Sequence, residues 1–356
     1  MTELKSVVDQ ALDLSLIIDG HNDLAWECRD NFGYSVEGLE TNSKTDTDIA
    51  RLRAGRVGAQ FWSVFVKDDL AEFDVVKATF EQIDWVYRLV ARYPDTFRIA
   101  RSASDIERAR KDGLIASLLG AEGGHCFNDS PATLRMMARL GVRYLTLTHN
   151  HNNSWADSAT DEAIHGGLTP RGIQYIHELN RLGVLVDLSH VSIPTMNAAL
   201  DATSSPVIFS HSSCRAITDH PRNVPDDVLV RLAANGGVVM ITFVPQFVSG
   251  EYYEWFIGSK TDPAPEVTLA QVADHIEHAR AIAGVDHIGL GGDYDGCEHF
   301  PIGLEGVDCY PALLTELASR GWSASDLAAL AGGNILRVLR ETDSAFANPT
   351  GSPLLI

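Results

Sequence analysis

Residues 169–190, TPRGIQYIHELNRLGVLVDLSH, contain one complete helix–strand unit. Pro170 at the first helical turn and Gly183 just past the last turn are the expected start and stop signals of a helix, and apolar side chains recur at helical spacing between them. The run Val184–Leu188 that follows is almost continuously apolar, which is typical of a parallel strand covered by helices. This strand leads directly to His190.

The same unit recurs along the whole chain. Short apolar, β-branched runs alternate with amphipathic helical patterns, among them a helix over Ser325–Leu339. Eight strands are predicted, at Leu14–Ile18, Ala59–Val66, Ile115–Leu119, Arg143–Thr148, Val184–Leu188, Val207–Ser210, Val238–Phe243 and His287–Gly291.

Eight strand–helix alternations without a Pro/Ser-rich linker predict a single α/β domain over residues 1–356, a (β/α)8 or TIM barrel with loop insertions. A doubly wound sheet remains the alternative, because counting strands does not prove closure. Residues 244–267 form a long aromatic-rich insertion after the seventh strand. We expect it to be a lid or a partner surface at the C-terminal face of the barrel.

Composition excludes several classes of protein. The 356 residues carry 48 acidic and 28 basic side chains, a formal charge of −20, which argues against binding nucleic acid or an anionic membrane surface. No apolar stretch approaches the ~20 residues of a membrane span, and the N-terminus lacks the pattern of a signal peptide. The five cysteines include no CxxC pair. We therefore expect a cytoplasmic protein with reduced cysteines.

Polar residues occur where the predicted strands end. Because the C-terminal ends of barrel strands converge on one face, where active sites are built, these side chains are expected to lie together. Six of the eight strands end in a histidine or carboxylate: His21-Asn22-Asp23 after the first, Glu122 after the third, His149 after the fourth, His190 after the fifth, His211 after the sixth and Asp293 after the eighth.

Histidine and carboxylate ligands in this arrangement suit zinc, which takes imidazole nitrogen and carboxylate oxygen. Side chains alternate along a strand, so the two groups of an HxD motif point to the same side. A single metal needs about three ligands. The five candidates suffice for two metals if Glu122, flanked by glycines, bridges them: His21, Asp23, Glu122, His190 and His211.

Each of these residues has a structural alternative, because a lone histidine at a strand end is more often a hydrogen-bonded core residue than a ligand. The shared position at strand ends favours a site. Six other histidines in predicted helices, loops or strand starts are interpreted as structural: His165, His177, His220, His275, His278 and His287.

Seven motifs together resemble membrane (renal) dipeptidase and its bacterial relatives, the M19 metallopeptidases, and we expect a bacterial member of this family. They span residues 18–296 in order: IDGHNDLAW, GAEGGH, LGVRYLTLTHNHNNSWAD, ELNRLGVLVDLSHVS, PVIFSHSSCRAI, RNVPDDVL and GLGGDYDG. The resemblance implies an amidohydrolase-type barrel that hydrolyses dipeptides, tolerates a D-configured second residue and forms a homodimer. It also implies two Zn²⁺ per chain, one bound by His21 and Asp23 and the other by His190 and His211, with Glu122 and a water or hydroxide as bridges.

The same motifs imply roles for four further residues. His149 would contact the scissile carbonyl, and Arg222, from RNVPDD, would hold the C-terminal carboxylate of the substrate. Asp293 would transfer protons as general base and then acid, whereas Asp295 is interpreted as structural. Because water between two zinc ions has its pKa lowered towards ~7, hydroxide would be available at neutral pH.

Two departures from the family pattern bear on where in the cell the protein is found. Secreted relatives carry a disulfide cysteine where this chain has His151, and the tail NPTGSPLLI lacks the hydrophobic stretch of a lipid-anchor signal. Both leave the predicted catalytic residues in place, and both favour the cytoplasmic expectation.

Two other functions remain as alternatives. An amidohydrolase-like enzyme acting on another C–N bond would typically carry HxH after the first strand and often a modified lysine after the fourth, whereas this chain has HxD and Glu122. The second alternative is a non-catalytic barrel that only binds metal. The presence of every proposed ligand and of Asp293 counts against this alternative. The loops Asp68–Phe73 and Phe247–Phe256 are expected to set side-chain specificity.

Overall fold

The computed structural model describes residues 2–70 and 72–355. In the loop Asp68–Phe73, Ala71 and the side chains of Glu72 and Phe73 lie outside the described residues. The described residues form nine strands: β1 (Ile17–Asn22), β2 (Val57–Ser63), β3 (Phe97–Ile99), β4 (Ile115–Glu122), β5 (Val142–Thr146), β6 (Leu185–Asp187), β7 (Ile208–Ser212), β8 (Val238–Ile241) and β9 (Ile288–Leu290).

Eight of these strands close into a parallel barrel. They follow the order β2-β1-β9-β8-β7-β6-β5-β4, and β2 pairs with β4 from Ala59↔Ala116 to Ser63↔Gly120. The closed ring confirms the predicted (β/α)8 barrel and excludes the open doubly wound sheet.

Helices surround this barrel. Their bounds are α1 (Thr2–Leu14), α2 (Leu24–Asn31), α3 (Ile49–Ala54), α4 (Glu72–Arg92), α5 (Ala103–Lys111), α6 (Pro131–Leu140), α7 (Pro170–Leu182), α8 (Ile193–Ala202), α9 (Asp226–Asn235), α10 (Pro245–Val248), α11 (Gly250–Ile257), α12 (Leu269–Ala283), α13 (Tyr310–Ser319), α14 (Ala324–Ala328) and α15 (Asn334–Ala347). Among the described residues, none of these helices is long and apolar enough to cross a membrane.

The signals in residues 169–190 act as expected. The Thr169 hydroxyl accepts a hydrogen bond from the Gly172 N–H at the start of α7, and Gly183 ends the helix with φ +65°. A Cβ at Gly183 would lie 2.2 Å from the backbone nitrogen of Phe346. Glycine at this position therefore both permits the left-handed turn and lets α15 pack closely.

Three sequence expectations need correction. The strand predicted at Leu14–Ile18 begins at Ile17, because residues up to Leu14 belong to α1, which packs an apolar face on α13 and α14. The short strand β3 was not predicted; it pairs with the start of β4 alone. The helix expected over Ser325–Leu339 is interrupted by a π-helical turn at Ala329–Gly333. There Gly332 packs so closely that a Cβ would lie 2.4 Å from the Leu16 carbonyl oxygen.

The N-terminal end of the barrel is filled with apolar side chains. Ile18, Phe61 and Leu118 from the strands form one buried cluster with Ile106 of α5 and Val338 of α15. Those two helices therefore cover the end at which the strands begin. The C-terminal ends carry the longer loops, including α10 and α11 within the predicted insertion at 244–267.

Candidate metal centre and substrate pocket

The strand-end residues predicted from the sequence come together at the C-terminal end of the barrel. They form three overlapping groups, in each of which one potential ligand atom per residue lies within 4.8 Å of the others. These groups are His21 with Glu122 and His211, Glu122 with His149 and His190, and His21 with Asp23 and Asp293.

His21 is held so that its Nε2 atom points into this cluster. Its Nδ1 lies 2.9 Å from the hydroxyl of Tyr144, which itself donates to the Gly20 carbonyl at 3.1 Å. The hydroxyl therefore accepts from Nδ1–H, which leaves Nε2 as the metal-binding atom. Burial opposes a charge on this ring, but Tyr144, Glu122 and Asp23 outweigh it and raise the pKa of His21 well above the usual value, so a metal would displace the proton from Nε2. That atom lies 3.2 Å from Asp23 Oδ2 and 3.3 Å from Glu122 Oε2.

Tyr144 reaches His21 because of a glycine. A Cβ at Gly120 would lie 2.0 Å from the tyrosine ring, so any side chain at this position would displace it. Gly120 is one of the glycines that flank Glu122 in the sequence. The structure shows that it makes room for the tyrosine that orients His21.

His211 has an equivalent arrangement on the neighbouring side of the cluster. Its Nδ1 lies 2.8 Å from the Ser210 hydroxyl, which donates to Asp187 Oδ2 at 2.6 Å. Nδ1 is therefore the protonated nitrogen, and the Nε2 lone pair faces His190 Nε2 at 2.9 Å and Glu122 Oε1 at 3.5 Å. Burial holds the pKa of His211 and that of His190 well below the usual range, and the Arg222 charge adds to both effects.

Glu122 lies between the two imidazole sets. Its Oε2 faces His21 and accepts from the Ser63 hydroxyl at 3.1 Å, while its Oε1 lies 2.9 Å from His190 Nε2. Burial opposes ionisation of this carboxyl, but the charge of His21 and the hydrogen bond from His190 outweigh it and lower its pKa well below the usual value. One buried carboxylate thus offers an oxygen to each side.

This donor set fits divalent metal ions. Imidazole lone pairs and carboxylate oxygens converge, and Asp23 Oδ1 is buried without a hydrogen-bond partner among the described residues. Burial also raises the pKa of Asp293 well above the usual carboxyl range, and the charges of Asp23 and Glu122 add to this although His21 opposes it. Buried carboxylates this close together need a compensating positive charge, which metal ions provide.

The backbone is strained at two of these strand ends. His190 and Asp293 adopt positive φ values of +70° and +64°, a region that non-glycine residues rarely occupy. Gly296 leaves space beside Asp293, since a Cβ there would lie 2.5 Å from both Asp23 Oδ2 and Asp293 Oδ1. Local strain and a missing side chain therefore accompany the placement of Asp293.

A cavity of about 660 Å³ opens above the cluster, and Arg222 lies in its wall. Arg222 as a whole is 2% exposed, and its Nε has no hydrogen-bond partner in the described part of the chain. The guanidinium lies against the cavity. Its remaining contacts are long, 3.5 Å to the Ser212 hydroxyl and 3.4 Å to the His211 carbonyl. Burial lowers its pKa to about 10, so it remains a cation at neutral pH. Such a poorly satisfied cation suits a carboxylate ligand.

His149 lines the cavity at the border of the cluster. Its ring packs on Phe65 and on His190, with centroid separations of 4.7 Å and 4.5 Å. It is thus placed beside the predicted ligands and accessible from the cavity. Asp295 contacts a neighbouring loop: its Oδ1 accepts from the Asp46 N–H at 2.7 Å, and its own N–H donates to Asp46 Oδ2 at 3.0 Å. Those contacts support its interpretation as structural.

Several cavity residues were missed by sequence reasoning. His220, interpreted as structural, accepts a hydrogen bond from the Arg222 N–H at 3.1 Å and packs on Phe247. Its position two residues before Arg222 was the available signal. The cavity also has an aromatic wall of Trp26, Phe65, Phe247 and Phe256. Trp26 and Phe65 were not singled out, whereas Phe247 and Phe256 bound the loop expected to set side-chain specificity.

Comparison with known proteins agrees with this geometry. The family model described as membrane dipeptidase (peptidase family M19) matches residues 7–351. Dipeptidase verJ of Clonostachys rogersoniana is 41% identical over 354 residues, covering 95% of this chain and 88% of the relative. The uncharacterized dipeptidase C3A11.10c of Schizosaccharomyces pombe is 43% identical, covering 92% of this chain and 81% of the relative. These relatives are fungal, so they give no support to the expected bacterial origin.

Solved structures show the same fold. The probable dipeptidase PvdM from Pseudomonas aeruginosa superposes with a TM-score of 0.86 at 21% identity, covering 97% of this chain and 99% of that one. A metallopeptidase from Rhodobacter sphaeroides, liganded with a phosphinate mimic of the dipeptide L-Ala-D-Ala, gives a TM-score of 0.83 at 20% identity, covering 92% of this chain and 99% of that one. With the family match over nearly the whole sequence, this chain belongs to the membrane dipeptidase family, peptidase family M19, and is a dipeptidase.

Proposed function

We propose that this dipeptidase holds two zinc ions per chain and hydrolyses the peptide bond of free dipeptides, with L- or D-configured second residues. His21 and Asp23 would hold one ion, His190 and His211 the other, and Glu122 both. The observation that carries the proposal is the position of Glu122, whose two oxygens face separate imidazole sets at 3.3 Å and 2.9 Å.

When bound, the zinc ions would acidify water and so provide a nucleophile at neutral pH. The protein's own contribution begins with proton transfer by Asp293. Its carboxylate lies 3.8 Å from His21 Nε2 at the cavity floor, and burial favours its protonated form. The charge of the bound metal ions would favour its ionised form, and that carboxylate can take a proton from the attacking water and return it to the leaving amine.

Two other side chains would position the substrate. Arg222 would bind the C-terminal carboxylate through its planar guanidinium, which restricts substrates to free dipeptides. His149 would hold the carbonyl oxygen and stabilise the negative charge that develops on it during attack. Both line the same cavity as Asp293, so one bound dipeptide could contact all three.

The proposal is tested by metal analysis combined with a dipeptide panel. Gently purified protein should contain about two zinc ions per chain, as the ligand set requires. The zinc-loaded protein should cleave members of matched L-Xaa-L-Xaa and L-Xaa-D-Xaa series, measured by release of free amino acids. C-terminally amidated versions of the best substrates serve as controls and should be cleaved far more slowly.

Either measurement can contradict the proposal. One zinc ion or none per fully active chain would refute the binuclear centre. Failure of the zinc-loaded enzyme to release amino acids from any member of either series would refute the proposed substrate class. Equal rates with free and amidated dipeptides would remove Arg222 from substrate binding.

A further inference from the structure

Asp68 links the loop after β2 to the loop after β5 at the edge of the cavity. Its Oδ2 lies 2.8 Å from His151 Nδ1 and 3.5 Å from His149 Nδ1. Each histidine therefore points its Nδ1 atom at the same carboxylate oxygen. The two histidines differ in exposure: the His151 side chain is 67% exposed, whereas that of His149 is 16% exposed.

His149 has little else to fix its ring. Its Nδ1 is buried, and no described residue forms a hydrogen bond of normal geometry with it. The ring is packed between Phe65 and His190. These contacts restrict the plane of the ring but do not determine which of its nitrogens carries the proton. The nearest group able to make that choice is the Asp68 carboxylate, at a distance typical of a catalytic contact that shortens when substrate binds.

We infer that Asp68 is a positioning residue, which orients His149 by accepting from its Nδ1–H and thereby leaves Nε2 to face the substrate carbonyl. This inference rests on the proposed function, because it assigns the use of Nε2 to dipeptide hydrolysis. Asp68 itself does not contact the substrate; it acts through His149. The exposed His151 contacts the same carboxylate oxygen, but the orientation of His149 does not depend on it.

The test uses five variants of the zinc-loaded enzyme, one of them a double variant. Asp68→Asn keeps the size of the side chain and removes its charge. Since a partner that orients a histidine is typically worth a factor of 10–100, kcat should fall by about that factor with little change in KM. Affinity for a phosphinate analogue of the substrate, whose tetrahedral oxygen would contact His149, should fall in parallel. Asp95→Asn, which removes an exposed carboxylate outside the cavity wall, is the control and should leave both values unchanged.

A double-mutant cycle separates orientation from a merely structural role. In a His149→Ala background, Asp68→Asn should have no further effect on kcat, because its effect passes through the missing ring. His151→Ala, which breaks the 2.8 Å contact but keeps the carboxylate, should retain most of the wild-type kcat. Independent, multiplicative losses in the cycle would overturn the inference, and so would a loss in His151→Ala equal to that in Asp68→Asn.

A negative result for the role of Asp68 can be distinguished from failure of the proposed function. If the wild-type enzyme cleaves no dipeptide, the substrate proposal fails, but the contact can still be measured by ¹⁵N NMR of the His149 ring, assigned with His149→Ala. Protonation of Nδ1 in the wild type, with a changed tautomer ratio in Asp68→Asn, supports the inference. An identical pair of ring shifts in the two proteins would refute it.

Discussion

The two ends of the barrel are built from the same strands but hold opposite kinds of side chain. At the N-terminal end, strand residues such as Ile18 and Leu118 form an apolar cluster covered by α5 and α15. At the C-terminal end, the same strands, β1 and β4, finish in His21 and Glu122, which lie 3.3 Å apart. A few residues along one strand separate a dry packed core from a group of ionisable ligands.

This difference assigns stability and chemistry to separate ends of the molecule. Apolar burial stabilises the fold by about 25 cal/mol per Å², whereas a group of buried carboxylates and imidazoles lowers stability until a cation neutralises it. Substitutions at the C-terminal end should therefore change activity more than stability, and those at the N-terminal end should do the reverse. Four predictions follow in order of decreasing expected effect: the first three test that division, and the fourth limits it by placing one stability effect near the C-terminal loops.

Removing the proton-transfer group at the C-terminal end should have the largest effect on catalysis. Asp293→Asn should lower kcat about 10²–10⁴-fold, because an amide cannot take a proton from water. Zinc content, measured by elemental analysis, should stay at the wild-type level, and the melting temperature should not fall. Wild-type turnover in this variant would remove Asp293 from the mechanism; lost zinc would show that it acts as a ligand.

Making a cavity at the N-terminal end should have the largest effect on stability. Leu118→Ala removes a fully buried side chain from the apolar cluster and should lower the free energy of unfolding by about 2–5 kcal/mol. Denaturant unfolding of the zinc-loaded protein measures this loss. The kcat per folded molecule should remain within about twofold of wild type, since separate sites act additively. A large loss of kcat in the folded variant would break the division between the two ends.

Replacing Arg222, the cation proposed to bind the substrate carboxylate, should lower activity by a smaller factor that depends on the substrate. Arg222→Met should lower kcat/KM for free dipeptides by about 10–150-fold, as expected for a hydrogen bond to a charged group worth 1.5–3 kcal/mol. The same enzyme assayed with C-terminally amidated dipeptides is the control and should change much less. Equal losses with both substrates would show that Arg222 maintains the shape of the site instead of binding the carboxylate.

A buried histidine near the C-terminal loops should make stability depend modestly on pH. His275 of α12 accepts from the Cys214 N–H at 3.0 Å, and its Nε2 lies 2.9 Å from the Val248 carbonyl. Burial lowers its pKa to about 4. The unfolded chain therefore binds a proton that the folded chain does not, and stability falls as the pH drops from about 6.5 towards 4.

The measurement compares the free energy of unfolding at pH 7 and pH 5. His275→Gln should reduce the acid-induced loss by up to about 2 kcal/mol relative to wild type, although the variant is less stable at pH 7. The exposed His299→Gln is a matched control and should leave the pH dependence unchanged. An unaltered pH dependence in His275→Gln would show that other groups cause the loss.

Sequence patterns predicted those parts of the molecule whose position in the fold follows from the residues of a single short segment. All eight barrel strands were placed because buried parallel strands are short and apolar, and the strand-end histidines followed from the rule that barrel strands converge. The clustering of His21, Glu122 and His211 within 4.8 Å confirms that rule. Their roles as zinc ligands remain a prediction.

Features that depend on contacts between distant segments were not predictable in this way. In the sequence, Tyr144 looks like an ordinary strand residue. Its contact with His21 joins residues 123 positions apart and requires the absence of a side chain at Gly120. Asp68 follows the second strand but carries no motif, and its two histidine partners lie more than 80 residues away. The π-helical turn likewise arises from the packing of Gly332 against the barrel.

The position of Tyr144 has a consequence for engineering. Its ring belongs to the apolar cluster at the N-terminal end, and its hydroxyl touches His21 at the other. One oxygen atom therefore connects the packed interior to a candidate metal ligand. Because Tyr144→Phe would keep the ring and delete that atom, metal exchange could be adjusted from inside the barrel while every substrate-facing loop keeps its native sequence.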